Sequence, residues 1–438
     1  MGMKVKYVLI VGVIAFSVCS LSAQEQWSLR DCIDYAKREN IQVRKSRISS
    51  ESSEVDILQS KAALFPSLSG SVSQSFNNSK DPTDNYQYNS SFGGQYGVSL
   101  GLTIYNGKQN LNAIKQAELQ KESSVLTTEQ QENDIELAIT QTYLQLLYAG
   151  ESIKNNENIV ASSEAQLQQT KDFLDAGSIT RAEYAQVEAQ YSSDRYNLVM
   201  AQNSYDSYLL QLKQLLELGI DDTFEPVIPE ISEDDVIRII PAKQEVYQTA
   251  LQIMPEIRNS QLSMDLVDID RSSAKAGYLP TISLNGSLGT NNLWSNSTSF
   301  AKQIDRNFSQ SIGLSVSIPI LDNRKNKSAV QKANLQIQTA ELNYTQAQKD
   351  LLQTIENLHQ DAVSAQSKYG AAKDKLASSE LSYELVSQQY ALGMRNPVEL
   401  TTEQNNYANA MQELLQAKYT ALLSIKLLNF YQGIEITL

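Results

Sequence analysis

Hydrophobic and polar positions change period several times along this chain. Leu68, Val72 and Phe76 alternate with Ser67, Ser69, Ser71, Ser73 and Ser75. Tyr96, Val98, Leu100, Leu102 and Ile104 alternate with Gly97, Ser99, Gly101 and Thr103. The rhythm returns at Ile282, Leu284 and Leu288, interleaved with Ser283, Asn285, Ser287 and Gly289. It returns again at Ile312, Leu314, Val316, Ile318 and Ile320, interleaved with Gly313, Ser315 and Ser317. Period two predicts strands over 67–77, 92–105, 281–294 and 308–321. Charge nearly vanishes there. Only Lys80, Asp81 and Asp84 are charged between Phe65 and Gly107, and only Lys302, Asp305 and Arg306 between Ala276 and Leu321. Each trio falls in a polar loop between two strands. Such strands fit either a half-buried sheet of a soluble domain or a barrel wall with lipid outside and water inside. The uncharged Ser, Gly, Asn and Thr, and lengths sufficient to cross a bilayer when tilted, favour the barrel.

Elsewhere the pattern is helical. Helices are predicted over 28–64 and 244–277, and long helical regions over 108–218 and 324–430, whose only proline is Pro397. Ile135, Ile139, Thr142 and Leu146 follow coiled-coil spacing, as do Leu335, Leu342, Leu351, Ile355 and Leu358 with gaps. Gly177 and Gly393 split each region into two legs, 108–176 with 180–218 and 324–391 with 397–430. The first leg would be roughly 100 Å long at 1.5 Å per residue. A pair of such legs buries only one face on itself, so the other face needs neighbours.

The order of elements is written twice. Lys61-Ala-Ala-Leu-Phe-Pro66 returns as Lys275-Ala-Gly-Tyr-Leu-Pro280, an offset of 214 residues that Ala36/Ala250 and Arg44/Arg258 share. Gly97 to Lys108 returns as Gly313 to Arg324, and Gly177, Glu183 and Tyr191 as Gly393, Glu399 and Tyr407, all offset by 216. A register held that far, with one change of two residues, implies two structural repeats, 24–218 and 244–438. Between them, 219–243 carries Pro226, Pro229 and Pro241 and the acids Glu230, Glu233, Asp234 and Asp235. It is expected to be a solvated linker with at most a short helix.

Composition narrows the function. With 36 Lys and Arg against 50 Asp and Glu, the 438-residue chain has a formal charge of −14. Nucleic acid is therefore an unsuitable partner, because phosphate neutralisation needs clustered cations. Hydrophobic residues make up 41% and charged residues 20%, so a sizeable core is available. His359 is the only histidine, and Cys19 and Cys32 the only cysteines. That leaves no Cys/His metal site, no histidine-based acyl-transfer triad and no disulfide framework. No cofactor is expected. His359 reads as surface or interface packing, and most of the 22 tyrosines as packing between legs. Cys32 reads as a small buried helix residue. Trp294, at a strand end, is placed to anchor at a membrane interface.

The N-terminus reads as a signal peptide over 1–23. Lys4 and Lys6 precede the apolar run Tyr7 to Val18, and small residues lead to cleavage after Ala23. Cys19 offers a lipoprotein alternative, which the bulky Val18 opposes. Removing Lys4 and Lys6 leaves a mature charge of −16. No later stretch is apolar for 18 residues, so the chain is exported and not held by a transmembrane helix.

If the strands are membrane strands, the chain must oligomerise. Four strands cannot close a barrel, and an open edge in lipid leaves backbone groups unpaired at several kcal/mol each. Eight strands would leave no channel, whereas twelve from three chains would leave an aqueous one.

The signal sequence, the tandem halves and the order helix–strand–strand–helix–helix resemble the TolC-like outer membrane efflux proteins, over essentially all of the mature chain. The most specific motifs are the turns Phe173-Leu-Asp-Ala-Gly-Ser-Ile-Thr-Arg-Ala-Glu183 and Tyr390-Ala-Leu-Gly-Met-Arg-Asn-Pro-Val-Glu399. The opening Trp27-Ser-Leu-Arg-Asp-Cys-Ile-Asp-Tyr-Ala36 with Asn40-Ile41 is also typical. The resemblance implies a mainly α fold with a membrane β-barrel. A homotrimer would form a 12-stranded barrel in outer-membrane lipid and a periplasmic α-barrel of long antiparallel helices. It implies an exit duct for inner-membrane pumps or type I secretion systems, joined through a periplasmic adaptor protein that docks at the turns of Gly177 and Gly393.

The resemblance further implies a gate at those turns, closed by an acidic ring and a Tyr/Arg network. By position, the ring carboxylate falls on Glu399, where the family pattern shows Asp. The second ring acid falls on Thr402, so that part is missing, and Glu403 faces about 100° away. Tyr390 and Arg395 match the constraining tyrosine and arginine, and their partner falls on Glu183, again Glu for Asp. An Arg395–Glu183 contact between helix pairs is expected. The plain alternative is that Glu183, Arg395 and Glu399 are solvated helix-surface charges. At the level of the whole chain, the alternative to a duct is an exported structural or adhesive helical stalk, which the charge-free strands oppose. An exported hydrolase would have to rest on acid pairs such as Asp221-Asp222 and Asp234-Asp235, which lie in the linker without an apolar pocket. An enzyme is not expected.

Overall fold

The computed structural model describes residues 26–80, 88–294 and 298–438. The expected signal peptide, Cys19, Asp81 and Asp84 lie outside them. The first half runs β1 (Gln26–Trp27), α1 (Leu29–Glu39), α2 (Ile41–Ala62), β2 (Ser67–Lys80), β3 (Tyr88–Asn106), α3 (Gln109–Asp175) and α4 (Arg181–Leu215). The connection holds β4 (Glu225–Pro226) and α5 (Glu233–Val236). The second half runs α6 (Lys243–Ile253), α7 (Pro255–Ala276), β5 (Thr281–Leu293), α8 (Phe300–Arg306), β6 (Ser309–Ser317), α9 (Lys325–Ala391) and α10 (Pro397–Tyr431). Helices match pairwise in length across the halves: 11 residues in α1 and α6, 22 in α2 and α7, 67 in α3 and α9, and 35 in α4 and α10. Among the described residues no helix is long and apolar enough to cross a membrane.

Where the pattern predicts one helix over 28–64, two form. Asn40 leaves helical geometry at ψ 130° and accepts from the Gln42 N–H at 2.9 Å, capping α2, while its amide donates to the Leu215 carbonyl at 3.1 Å. The predicted helix over 244–277 breaks at Met254, because Pro255 pushes its predecessor out of the α region. β6 ends at Ser317, short of the predicted 321, just before Pro319, which has no N–H to donate to a ladder.

The four long strands form one antiparallel sheet in the order β2–β3–β5–β6, with β2 and β6 as open edges. The register sorts the side chains. Leu68 pairs with Leu100, which pairs with Gly286, which pairs with Ile312; Val98 pairs with Leu288, and Leu102 with Leu284 and then Leu314. Residues directly opposite share a face, so these apolar side chains make one surface. Ser69, Ser99, Ser287 and Ser311 fall on the other, where hydroxyls pair at 2.7 Å (Ser69 with Ser99) and 2.8 Å (Ser287 with Ser311). The register shifts between Thr103 and Tyr105. Ile104 is thus a bulge residue, and Tyr105, not Ile104, continues the apolar surface opposite Ile282. Both edge strands are exposed along their whole length. The short helix α8, absent from the pattern-based expectation, packs on the apolar surface: Thr290 donates to the Ile304 carbonyl at 2.6 Å, and Phe300 meets Tyr96 edge-on.

The core lies midway along α3 and α9, where α1, α3, α4, α6, α9 and α10 converge on Ile33, Ile139, Tyr143, Leu212, Val246, Ile355 and Leu422. Cys32 is fully buried there, and burial pushes its thiol pKa up to about 12, keeping it protonated. The Tyr143 hydroxyl reaches the Val227 carbonyl at 2.6 Å and the Trp27 carbonyl at 3.1 Å, fastening the β1–β4 pair to α3. The connection is therefore less free than a solvated linker. Val236 is buried, and Gln366 donates to the Val236 and Arg238 carbonyls at 3.0 and 2.7 Å. The predicted seams behave unequally. Ile135, Ile139, Thr142, Leu146, Leu351 and Ile355 are buried, while Leu335 and Leu342 remain exposed, leaving an apolar face on α9 without a partner in the protomer.

Candidate functional site

The two legs of each half turn at Gly177 and Gly393, both at φ +73°. At each turn the glycine N–H bonds three residues back (Leu174 and Tyr390) and the next N–H five back (Phe173 and Gln389), all at 2.9 Å. This pair of hydrogen bonds closes a helix only with a left-handed residue, which is why glycine stands there. A Cβ would meet nothing within 4 Å at either position, so the requirement is conformational and not steric.

The returning helices start from side-chain caps. Thr180 and Glu183 form a capping box on α4: the Glu183 carboxylate accepts from the Thr180 N–H at 2.7 Å and from its hydroxyl at 2.9 Å. Those donors hold the carboxyl below its usual range. On α10, Asn396 accepts from the Glu399 N–H at 2.9 Å, and Pro397 takes the first helical position, where its missing N–H costs nothing.

Glu183, Tyr390, Arg395 and Glu399 line one cleft of about 620 Å³ between the two turns, together with Phe173 and Gly393. Within the protomer the expected Arg395–Glu183 contact is not made. Arg395 pairs with Glu399 one turn along at 3.3 Å and donates to Gln389 at 2.8 Å. Glu183 has two donors three residues away at a positive helix end, and that local arrangement outcompetes a long guanidinium reach. Thr402 back-bonds to the Val398 carbonyl at 2.7 Å, and Glu403 accepts from Ser382 at 2.8 Å, facing α9. Neither points into the cleft with Glu399.

Tyr390 joins the two helix pairs. It is 2% exposed, its ring meets Phe173 edge-on, and its hydroxyl lies 2.8 Å from that of Thr170. The Thr170 hydroxyl gives its hydrogen to the Gln166 carbonyl at 2.7 Å, so Tyr390 is the donor. Burial raises the Tyr390 pKa, which keeps that donor protonated.

Above it the contact continues through residues outside the turn motifs. Tyr383 bonds Ser162 at 2.8 Å and also Gln166. Gln404 donates to Asp194 at 3.0 Å, and Gln190 donates to the same carboxylate at 2.9 Å. Asp194 is 4% exposed without a cation beside it among the described residues, and burial raises its pKa. A signal existed: Val187, Asp194 and Ala201 are buried at intervals of seven, so Asp194 is a polar residue on a heptad seam.

A family model described as outer membrane efflux protein matches residues 32–217 and 246–431. Outer membrane protein TolC of Escherichia coli (strain K12) is 22% identical over 431 residues, covering 96% of this chain and 85% of that protein. The alkaline protease secretion protein AprF of Pseudomonas aeruginosa is 21% identical over 305 residues, covering 69% of this chain and 62% of that one. A crystal structure of CusC, whose study concerns transmembrane channel formation, superposes with a TM-score of 0.78 at 16% identity, covering 93% of this chain and 92% of that one. With the same family model matched once in each half, over most of its length, this chain belongs to the outer membrane efflux protein family.

Proposed function

We propose that this protein is an outer membrane channel that serves as the exit duct of an efflux or type I secretion complex. Three protomers share one barrel, and a periplasmic adaptor and an inner-membrane pump load the duct from below. The halves 24–218 and 244–438 then act as two copies of one wall unit, joined by 219–243. The observation that carries the reading is the sheet: four strands, one apolar face, one uncharged polar face, and two open edges. In lipid those edges must be paired, and three such sheets make a closed barrel of twelve strands with a wet interior. The unpartnered apolar residues of α9 call for neighbouring helices in the same way. Names of relatives support the cargo classes: one is a protease secretion protein and the family is one of efflux.

In this reading the turns are the periplasmic gate. Three copies of Glu399 around the axis form an acidic ring, Arg395 steers each carboxylate, and Tyr390 ties the moving helix pair to its neighbour through Thr170. The test is the mass of the detergent-solubilised particle, with the detergent subtracted. Three processed chains are expected; a monomer extracted intact without detergent would end the barrel reading.

A further inference from the structure

α8 lies against the face of the sheet that meets lipid in the barrel reading. Its contacts, Thr290 and Tyr96, share the register rows of Val72 and the face of Leu288. On β5 the apolar side chains stop at Leu288, and Thr290 and Asn292 follow on the same face. Beside them Gln74 donates to the Tyr96 hydroxyl at 2.6 Å, and that hydroxyl donates to Asn292 at 3.3 Å. The knot sits over Gly94, where a Cβ would lie 2.6 to 2.7 Å from all three side chains. This polar knot, followed one row outward on the same face by exposed Phe76, Phe92 and Trp294, suits the border between hydrocarbon and headgroups in the barrel reading.

α8 seats itself at that level. Gln303 is buried and accepts from the Leu293 N–H at 2.7 Å, and Phe300 and Ile304 lie on the same side of the helix. At 100° per residue Lys302 and Asp305 therefore project from the opposite side, and Arg306 from the flank. All three are exposed, and neither cation forms an ion pair among the described residues. Exposed Trp294, Phe300 and Phe308 flank them, the mixture of aromatic and cationic side chains that suits a membrane interface.

We infer that α8 is a collar that binds the phosphorylated headgroups of outer-leaflet lipid, with Lys302 and Arg306 on the phosphates and the three aromatics at the acyl boundary. The inference rests on the barrel reading above, which puts the apolar face against lipid. Continuity with that face, and two cations without an ion pair among the described residues, identify the occupant. The three collars of a trimer would ring the barrel from outside and leave the lumen clear.

The test is native mass spectrometry of the purified trimer after exposure to bisphosphorylated lipid A, or to the same lipid stripped of its phosphates. The wild type should retain the phosphorylated lipid preferentially. K302E together with R306E should weaken that retention about tenfold or more. Particle mass and single-channel conductance should stay unchanged. If the double reversal fails to assemble, K302Q with R306Q should show a smaller loss in the same direction. Equal retention by wild type and variants, or equal retention with and without phosphates, overturns the collar while leaving the trimer intact. A wild-type particle that is monomeric overturns the barrel reading, and the collar with it.

Discussion

Asp194 shows how one side chain can set the terms for a whole contact. Its carboxylate is held by two amides from different helix pairs, while the amide oxygen of Gln404, Oε1, is buried without a partner among the described residues. Because burial raises the folded-state pKa above the ordinary value, the folded state binds the proton more tightly than the unfolded chain does. Stability contributed by this group is therefore lost as pH rises through and above the usual carboxylate range, and regained on acidification. Asp194→Asn keeps the acceptor oxygen and supplies an N–H that can reach Gln404. Thermal unfolding of the solubilised protein should show the variant more stable at neutral pH, by about 1 kcal/mol, with a weaker acid dependence. A lower melting temperature at neutral pH would contradict this. The turn glycines make the complementary case. The Cβ added by Gly393→Ala meets no neighbour, so its cost is the left-handed backbone alone, about 1–2 kcal/mol. Hydrogen exchange should then quicken at the Met394 amide, while Gly393→Asn should leave it nearly unchanged.

At the scale of elements, neighbouring residues of one strand should have opposite consequences. Ile312 is 81% exposed on the apolar face, and Ser311 lies on the polar one. A lysine at Ile312 should cost about 2–4 kcal/mol at mid-membrane and reduce the yield of assembled trimer. A lysine at Ser311 should assemble and shift the reversal potential toward anions. Equal yields of the two would contradict the assignment of faces. The helix pairs offer a second test. Tyr390→Phe removes the donor to Thr170, and Arg395→Glu sets a like charge beside Glu399. Together they should raise conductance in a planar bilayer if the proposed gate is at these turns; unchanged conductance would count against it.

At the scale of the molecule, the proposed acidic ring would exist only through symmetry. One Glu399 is a surface carboxylate paired with Arg395, whereas three near an axis repel one another and attract cations. Glu399→Gln should therefore lower the cation preference of the open duct while leaving particle mass at three chains. A monomeric Glu399 would show no such effect.

How much of this was legible beforehand depended on the range of the interaction involved. The alternation of Leu68, Val72 and Phe76 with serines, the two glycine turns and the duplicated register are local or repeated features, and residue type with spacing determines them. The family itself could be read from the turn motifs. What only the tertiary structure decided were competitions between partners. Asn40 could have stayed helical, but the Leu215 carbonyl and the Gln42 N–H hold it as a cap. Glu183 could have met Arg395, but its own helix end offered two nearer donors. Ile104 sits in an unbroken alternation, yet the register with β5 makes it a bulge. The sequence by itself thus determined period, breaks and repetition, because those depend on neighbours in the chain. Which partner each cap, carboxylate and loop helix took was settled only by folding, because desolvation and hydrogen bonding compare partners that are close in space and distant in sequence.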